Sequence, residues 1–220
     1  TSILATKEYT DFSTRGKSEI TINPDGTDKK NTNGLSKEYI TEYSYGITES
    51  LNLLIPRFTG GGSGDMVDKE GDFFKSLQKY DSDTARIIYQ NSRLYWGNQP
   101  IVEAPAYIGI SVFFLFVLGF IYLSKIQKIW VISSITFALI LSWGKNFPYL
   151  TDLFIDYFPL YDKFRAVSSI QVLIEFLIPF VAATGVHSFF ENDSKEINEK
   201  KLLTTAAAFI IPLSVLYFLG

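Results

Sequence analysis

The sequence predicts a mainly α-helical membrane protein, a polytopic bundle of about four transmembrane helices with an extracytoplasmic head of helices and irregular segments. Residues 106–124 form a run of 19 residues without a charge. At about 1.5 Å per residue, such a run spans the ~30 Å hydrocarbon core of a bilayer. The two halves also differ in charge: residues 1–105 carry 12 Lys and Arg and 15 Asp and Glu, whereas residues 106–220 carry 8 and 8.

The head, residues 1–105, consists of short elements joined by polar turns. SEITI (18–22) is a possible strand or helix, and a breaker-rich loop follows over 23–34. Apolar residues then recur at spacings of three and four, which predicts an amphipathic helix over 37–55 that ends at Pro56. These apolar residues are Ile40, Tyr43, Ile47, Leu51 and Leu54.

The glycine-rich segment TGGGSG (59–64) invites comparison with a phosphate-binding loop. No Lys followed by Ser or Thr comes after it, as a P-loop requires. We therefore expect a flexible loop. A helix is predicted over 72–94, and it leads into YWGNQP (95–100) at the membrane edge.

Four apolar runs are the predicted membrane crossings. They are residues 106–124, 129–143 or slightly longer, 167–186 and 202–220. The second run has only 15 residues and needs the following KNFPYL, or a thin local bilayer, to cross. The alternative is a soluble helical bundle, whose helices seldom stay apolar around the whole circumference with aromatic residues at both ends.

The basic residues of the short connections predict the orientation. KIQK (125–128) has two Lys in four residues and segment 187–201 has three Lys, whereas the loop 144–166 has three basic residues in 23. Positive residues near the ends of crossings resist translocation. This bias places 125–128 in the cytoplasm, and it places the head (1–105) and the outer loop 144–166 outside.

Composition excludes several kinds of site. Without cysteine there is no disulfide, no Cys-zinc site and no thiol nucleophile. The even charge balance argues against nucleic-acid binding, which needs a basic stripe. His187 is the only histidine, so a zinc site is not expected. It stands at the inner end of the third predicted crossing, on the opposite side from the serines of the head, so we expect an interfacial residue and no Ser-His-Asp set. The chain starts at Thr1 and stops within an apolar run, from which we expect a piece of a longer membrane protein.

Five segments resemble one known family when taken together. They are YTDFSTRGKSEIT (9–21), SYGITESLNLLIPRFTGGGSG (44–64), YWGNQP (95–100), LSWGKNF (141–147) and LTDLFIDYFPLYDKFRAVSS (150–169). Their order and spacing resemble the YfhO family of bacterial multi-spanning membrane proteins. The resemblance implies a fold like the GT-C glycosyltransferases, a place in the bacterial inner (cytoplasmic) membrane, and an active site on the outer face.

The resemblance also implies a sugar donor carried on a polyprenyl phosphate and an acceptor in the cell envelope. In that fold the catalytic carboxylate sits in the first outer loop. That loop would lie upstream of Thr1, so no catalytic residue is assigned in this chain.

The outer loop 144–166 holds the candidate substrate-binding residues. Lys163 and Arg165 are predicted to contact the donor's phosphate, with Lys145 as a weaker candidate, because Arg grips phosphate in a bidentate fork and Lys supplies a point charge. The alternative is that they anchor to lipid headgroups or pair with the aspartates nearby.

Acidic and amide side chains supply the other candidates. Asp152 and Asp156 are four residues apart, so in a short helix they share a face and could bind a divalent cation or orient an acceptor hydroxyl. The alternative is that they face water. Glu175, with Gln171 one turn before it on the same predicted face, lies inside the third crossing, where it lines a substrate channel or makes a structural contact.

Three functions remain open from the sequence. The first is a polyprenyl-phosphate-sugar glycosyltransferase that modifies a cell-envelope polymer or lipid, in contact with membrane lipid. The second is a transporter or flippase-like protein with Glu175 and Gln171 along the path. The third is a non-catalytic membrane assembly protein whose head is an interaction module.

Overall fold

The computed structural model describes residues 2–10, 12–13, 15–16, 22, 26–27, 34–191 and 195–219. Within these residues the regular structure is helical, and the backbone pairing between Met66 and Arg93 is an isolated bridge. The prediction of a mainly α-helical protein is therefore confirmed. The predicted element 18–22 and most of the loop 23–34 lie outside the described residues.

The α-helices are numbered in chain order. They are α1 (Ser2–Thr10), α2 (Lys37–Ile40), α3 (Asp72–Leu77), α4 (Ser82–Asn91), α5 (Ile110–Tyr122), α6 (Lys125–Ser142), α7 (Pro148–Tyr157), α8 (Val172–Glu191) and α9 (Lys195–Leu219). Short 3-10 helices cover Thr48–Leu53, Gly144–Asn146, Tyr161–Lys163 and Val167–Gln171.

The chain forms two compact units. The first contains Thr1–Ile47, Asn98–Pro100 and Ile140–Ile170, and the second contains Thr48–Gly97, Ile101–Leu139 and Gln171–Gly220.

In the first unit, the chain after α2 turns instead of continuing as a helix. The hydroxyl of Ser36 accepts a hydrogen bond from the Tyr39 N–H and begins α2, whose last residue, Ile40, is fully buried. The backbone N–H of Tyr45 then donates to the Ser142 carbonyl at 2.9 Å. Because that N–H is used outside a helix, the predicted amphipathic helix over 37–55 does not form.

The segment predicted as the outer loop contains a helix of its own. Pro148 occupies the first turn of α7, where its missing N–H costs nothing. The α7 helix includes both Asp152 and Asp156, and it is the short helix that a shared face of these two residues requires. Phe154 stacks on Phe158 at 5.1 Å between ring centroids.

In the second unit, α5 packs along α8 through glycines. A side chain added at Gly119 would collide with the backbone of Val181 and Gly185, and one added at Gly185 would collide with Gly119. The buried residues of α8 recur at spacings of three and four, which gives one continuous contact stripe. They are Ile174, Leu177, Ile178, Val181, Ala182 and Gly185. This close approach is the packing typical of helices inside membranes.

Two helical stretches among the described residues are long and apolar enough to cross a membrane, by length and composition. They are Lys125–Ser142 and Val167–Glu191. Over the first predicted crossing, α5 begins only at Ile110, because Gly109 has a φ of 100° and ends the preceding irregular segment. Much of the fourth run, 202–220, falls on residues of α9 whose side chains are outside the described set.

Two connections are shorter than predicted. KIQK (125–128), expected as a loop, is the first turn of α6, because Ser124 and Gln127 form a capping box: the Gln127 N–H donates to the Ser124 hydroxyl and the Ser124 N–H donates to the Gln127 side chain at 2.9 Å. In segment 187–201, α8 continues to Glu191 and α9 begins at Lys195.

Two predictions for the head also need correction. The helix predicted over 72–94 is divided into α3 and α4, because Asp81 accepts a hydrogen bond from the Thr84 N–H at 2.9 Å and caps a new helix. Segment 59–64 is a loop, but a packed one. The Thr59 backbone and hydroxyl are bonded to Asn52, and the Ser63 N–H donates to the Val102 carbonyl at 2.6 Å.

Candidate functional site

The most distinctive site in the first unit surrounds Arg165, and we call Arg165, Tyr39, Glu42 and Tyr43 the Arg165 cluster. The guanidinium carbon lies 4.7 Å from the centroids of both tyrosine rings. Nη1 donates to the Tyr39 hydroxyl at 2.9 Å, and Nη2 lies 3.1 Å from Glu42 Oε2. The guanidinium therefore contacts two aromatic rings and is oriented by one carboxylate.

The same contacts favour the charged form of the arginine. The hydrogen bond to Tyr39 raises the pKa of Arg165 above its ordinary value, and the charge of Glu42 adds to this effect. The side chain of Arg165 keeps 35% of its surface exposed. A guanidinium has five N–H donors, so donors remain for a ligand after Tyr39 and Glu42 are satisfied.

The backbone that carries Arg165 is strained at both ends. Leu160 has a φ of 67° and Ala166 a φ of 68°, a left-handed conformation that is unfavourable for side chains with a Cβ. The Ser168 N–H donates to the Tyr43 carbonyl at 3.1 Å and fixes the exit of this segment against the Arg165 cluster. Such strain persists where surrounding contacts over-determine the backbone, and it is common at functional sites.

An apolar pocket of about 160 Å³ lies beside the guanidinium. Arg165 is the charged member of a lining that is otherwise aliphatic or aromatic. The lining residues are Leu141, Tyr161, Phe164, Arg165, Ala166, Val167 and Ile170. Burial raises the pKa of the Tyr161 hydroxyl, which keeps it neutral. The site thus combines an apolar cavity with one fixed cation.

Lys163, the second predicted phosphate ligand, is directed elsewhere. It is buried, and its Nζ lies 2.9 Å from Asp162 Oδ2. The Asp162 carbonyl in turn accepts a hydrogen bond from the Leu35 N–H at 3.0 Å. The structure therefore pairs Lys163 and Arg165 with different carboxylates. For Lys163 it shows the alternative stated from the sequence, in which the lysine pairs with a nearby aspartate.

The remaining candidates of the first unit are dispersed. Lys145 is exposed, although its backbone N–H donates to the Ser44 hydroxyl at 3.1 Å. Lys37 Nζ lies 2.7 Å from both carboxylate oxygens of Asp152. Asp156 is exposed, and in the described part of the chain no three acidic or histidine side chains converge as metal ligands.

The two candidates predicted to lie within the third crossing do not share a face. Gln171 is buried, with 2% of its surface exposed, whereas Glu175 is exposed on α8. The reason is that Gln171 belongs to a 3-10 helix and Glu175 to the following α-helix, so the four-residue rule does not connect them. His187 lies within α8 instead of at its end, with Nε2 at 3.2 Å from Glu191 Oε2.

Sequence reasoning missed three members of the Arg165 cluster. The sequence places Tyr43 on a predicted apolar helix face, and no local pattern marks Tyr39 or Glu42 as part of a site. The available signal is the pair of tyrosines four apart with a glutamate between them, in KEYITEY (37–43). Which arginine such a pair would hold cannot be read from the sequence, because Tyr39 and Arg165 are 126 residues apart.

Comparisons with known proteins add no relative: no family model, no curated protein and no solved structure matches the chain.

Proposed function

We propose that the chain is part of an integral membrane glycosyltransferase of GT-C type. It takes a sugar from a polyprenyl phosphate and transfers it to a polymer or lipid of the cell envelope. It does so in the bacterial inner membrane, with four crossings, residues 125–128 in the cytoplasm, and residues 1–105 and the segment 144–166 outside.

The observation that carries the proposal is the guanidinium of Arg165 fixed in the wall of an apolar pocket. A polyprenyl phosphate combines an apolar chain with an anionic headgroup, so its receptor needs an apolar wall next to a cation. Arg165 supplies the cation, and the residues around Phe164 and Val167 supply the wall. A pocket of about 160 Å³ holds a short part of the chain next to the phosphate, while the rest lies in the bilayer.

The Arg165 cluster gives this site its preorganisation. Tyr39, Glu42 and Tyr43 hold the guanidinium before the ligand arrives, so less conformational entropy is lost when the phosphate binds. During transfer the leaving phosphate gains negative charge, and a fixed cation stabilises that charge. Lys145 is exposed and is proposed as a second, mobile cation for the phosphate. The exposed Asp156, with Asp152, is proposed to orient the acceptor hydroxyl, with a divalent cation as an optional aid.

The experiment compares sugar transfer in membranes that contain the protein or its variants, with a labelled polyprenyl-phosphate sugar as donor. Arg165→Ala is expected to lower turnover by roughly 10²-fold, the effect of losing one charge-stabilising donor. Arg165→Lys is expected to retain only part of the turnover, because an ammonium neither stacks on the tyrosine rings nor offers a fork of two donors to the phosphate. The matched control is Arg86→Ala, which removes an exposed arginine in α4. Unchanged turnover in Arg165→Ala, with equal protein in the membrane, contradicts the proposal.

A second candidate is transport, and one observation favours it. Glu175 is exposed on the first turn of α8, a helix apolar enough to cross the membrane, and a charged carboxylate that faces lipid in a crossing is unfavourable. A path for a cation or proton would relieve this cost. If transport is the function, Glu175→Gln abolishes uptake into vesicles and Arg165→Ala does not, whereas a glycosyltransferase shows the opposite pattern.

A further inference from the structure

A second groove lies in the second unit, between α5, α6 and α8, and nothing in the proposed function uses it. Its volume is about 290 Å³. Trp130 and Phe180 line its apolar part, and Gln127, Thr184 and Ser188 line its polar part. Gln127 lies in the first turn of α6 and Ser188 in the last turn of α8, so the polar end of the groove is at the ends of both helices.

Two lysines stand at that polar end. Lys201 Nζ lies 3.8 Å from the ring centroid of Tyr122, which also lines the groove. Lys128, next to Gln127, donates from Nζ to the Ile121 carbonyl at 3.2 Å. Between Glu103 and Asp152 the sequence contains no acidic residue. The acidic residues at this end are Glu191, whose Oε2 lies 3.2 Å from His187 Nε2, and Glu199, which is exposed on α9 two residues before Lys201. Among the side chains that the structure describes here, four lysines outnumber these two carboxylates: Lys125, Lys128, Lys200 and Lys201.

The ends of three helices are also tied together here. The Tyr122 hydroxyl donates to Asn198 Oδ1 at 2.6 Å, and Asn198 Nδ2 donates to the Phe189 carbonyl at 2.9 Å. These bonds connect α5, α8 and α9 and hold Lys201 against Tyr122. The groove is therefore preformed, because hydrogen bonds between protein groups connect the helices beside it without a ligand.

We infer that this groove binds one anionic phospholipid. One acyl chain lies along Trp130 and Phe180, and the phosphate lies at Lys128 and Lys201. A basic site between transmembrane helices at the cytoplasmic end is where anionic headgroups bind. The inference rests on the membrane insertion included in the proposed function, but it does not depend on sugar transfer.

The test is native mass spectrometry of the detergent-purified protein with two phospholipids of identical acyl chains, phosphatidylglycerol and phosphatidylcholine. We expect one phosphatidylglycerol to be retained at least tenfold more than phosphatidylcholine. The double variant Lys128→Gln and Lys201→Gln is expected to lower that retention to the phosphatidylcholine level. The control is Lys75→Gln with Lys79→Gln, which removes the same charge from the head.

Two further variants keep the test decisive. Thr184→Phe fills the groove and is expected to lower retention of both lipids while both lysines remain. If the double variant does not fold, Lys201→Gln alone is used, and a several-fold loss is expected. Equal retention of the two phospholipids, unchanged retention in the lysine variants, or displacement of phosphatidylglycerol by equimolar polyprenyl phosphate overturns the inference. Failure of sugar transfer leaves these readouts unaffected.

Discussion

At the scale of single residues, the contacts of Arg165 lead us to expect that lysine is a poor substitute. Each tyrosine face attracts the flat guanidinium, and Glu42 fixes its rotation by a contact of 3.1 Å. An ammonium has neither the flat shape nor the two parallel donors. The tyrosines therefore act as positioning residues, and their effect should appear in donor binding.

Tyr43→Leu removes one of the two aromatic faces and keeps the volume apolar. We expect the KM for the polyprenyl-phosphate sugar to rise about 2- to 5-fold, with kcat little changed, since one exposed cation–π contact is lost. Tyr43→Phe keeps the ring and serves as the matched control. Steady-state kinetics on membranes measures the two constants, and an equal effect of Leu and Phe would show that the ring face plays no part.

Asp81 provides a pH-dependent prediction. The Thr84 N–H lowers the pKa of the Asp81 carboxyl below its ordinary value of 3.8. Because the pKa of Asp81 is lower in the folded state than in the unfolded state, its charged carboxyl stabilises the fold fully above pH 3.8. This stabilisation is lost as the pH falls through the lower pKa of the folded state. We expect the amides at the start of α4 to lose protection below pH 3.8, measured by hydrogen exchange corrected for intrinsic rates.

The matched control replaces the titrating group without losing the cap. Asp81→Asn keeps an oxygen acceptor at the N-cap of α4, the residue before Ser82, so protection should persist at low pH. Asp81→Ala should reduce protection at every pH. If the Asp81→Asn variant and the parent protein lose hydrogen-exchange protection over the same pH interval, titration of the Asp81 carboxyl does not cause the loss.

At the scale of elements, Gly119 and Gly185 decide how closely α5 and α8 approach. An added methyl group at Gly119 would meet backbone atoms of Val181 and Gly185, which cannot rotate away as a side chain could. We expect Gly119→Ala to destabilise the protein by about 1 to 2 kcal/mol, because the overpacking outweighs the better helix propensity of Ala. Thermal unfolding in detergent measures the effect.

Gly64→Ala is the control for this substitution. A methyl group at Gly64 would meet nothing within 4 Å, so the stability of the Gly64→Ala variant should stay near that of the parent protein. A higher melting temperature for Gly119→Ala than for Gly64→Ala would contradict the close-packing account of α5 and α8.

The sequence predicted elements well where one physical signal dominates. The apolar runs located α5, most of α6 and α8, whereas α7 lies in the segment predicted as an outer loop, where a helix was only the condition for Asp152 and Asp156 to share a face. The prediction was wrong over 37–55, where the hydrophobic period is helical but the Tyr45 N–H bonds to Ser142. It also missed the start of α6, although the S-x-x-Q capping pattern at Ser124 was visible.

The candidate site could be predicted only in part, for a related reason. The charge and location of Arg165 near an apolar run are local facts, and they indicated an anion site. Its partners Tyr39 and Glu42 are distant in sequence, and no local period connects them to the arginine. Lys163 looked equivalent to Arg165 in sequence, but burial beside Asp162 distinguishes them.

At the scale of the whole molecule, the absence of cysteine allows a direct test of the proposed topology. A single cysteine can be placed at Ser124, before α6, or at Tyr149, which is 81% exposed in α7. The 18 residues of α6 between them span about 27 Å at 1.5 Å each, close to the thickness of the bilayer core. If α6 crosses the membrane, the two positions lie on opposite sides.

We therefore expect a membrane-impermeant maleimide added to intact cells to label Tyr149→Cys, and to label Ser124→Cys only after permeabilisation. The direction follows from Lys125 and Lys128, which resist translocation and keep the start of α6 in the cytoplasm. Ser82→Cys, at an exposed position of the head in α4, is the control for external access and should be labelled like Tyr149→Cys. Labelling of both Ser124→Cys and Tyr149→Cys in intact cells would show that α6 does not cross, and the donor-phosphate site at Arg165 would lose its membrane setting.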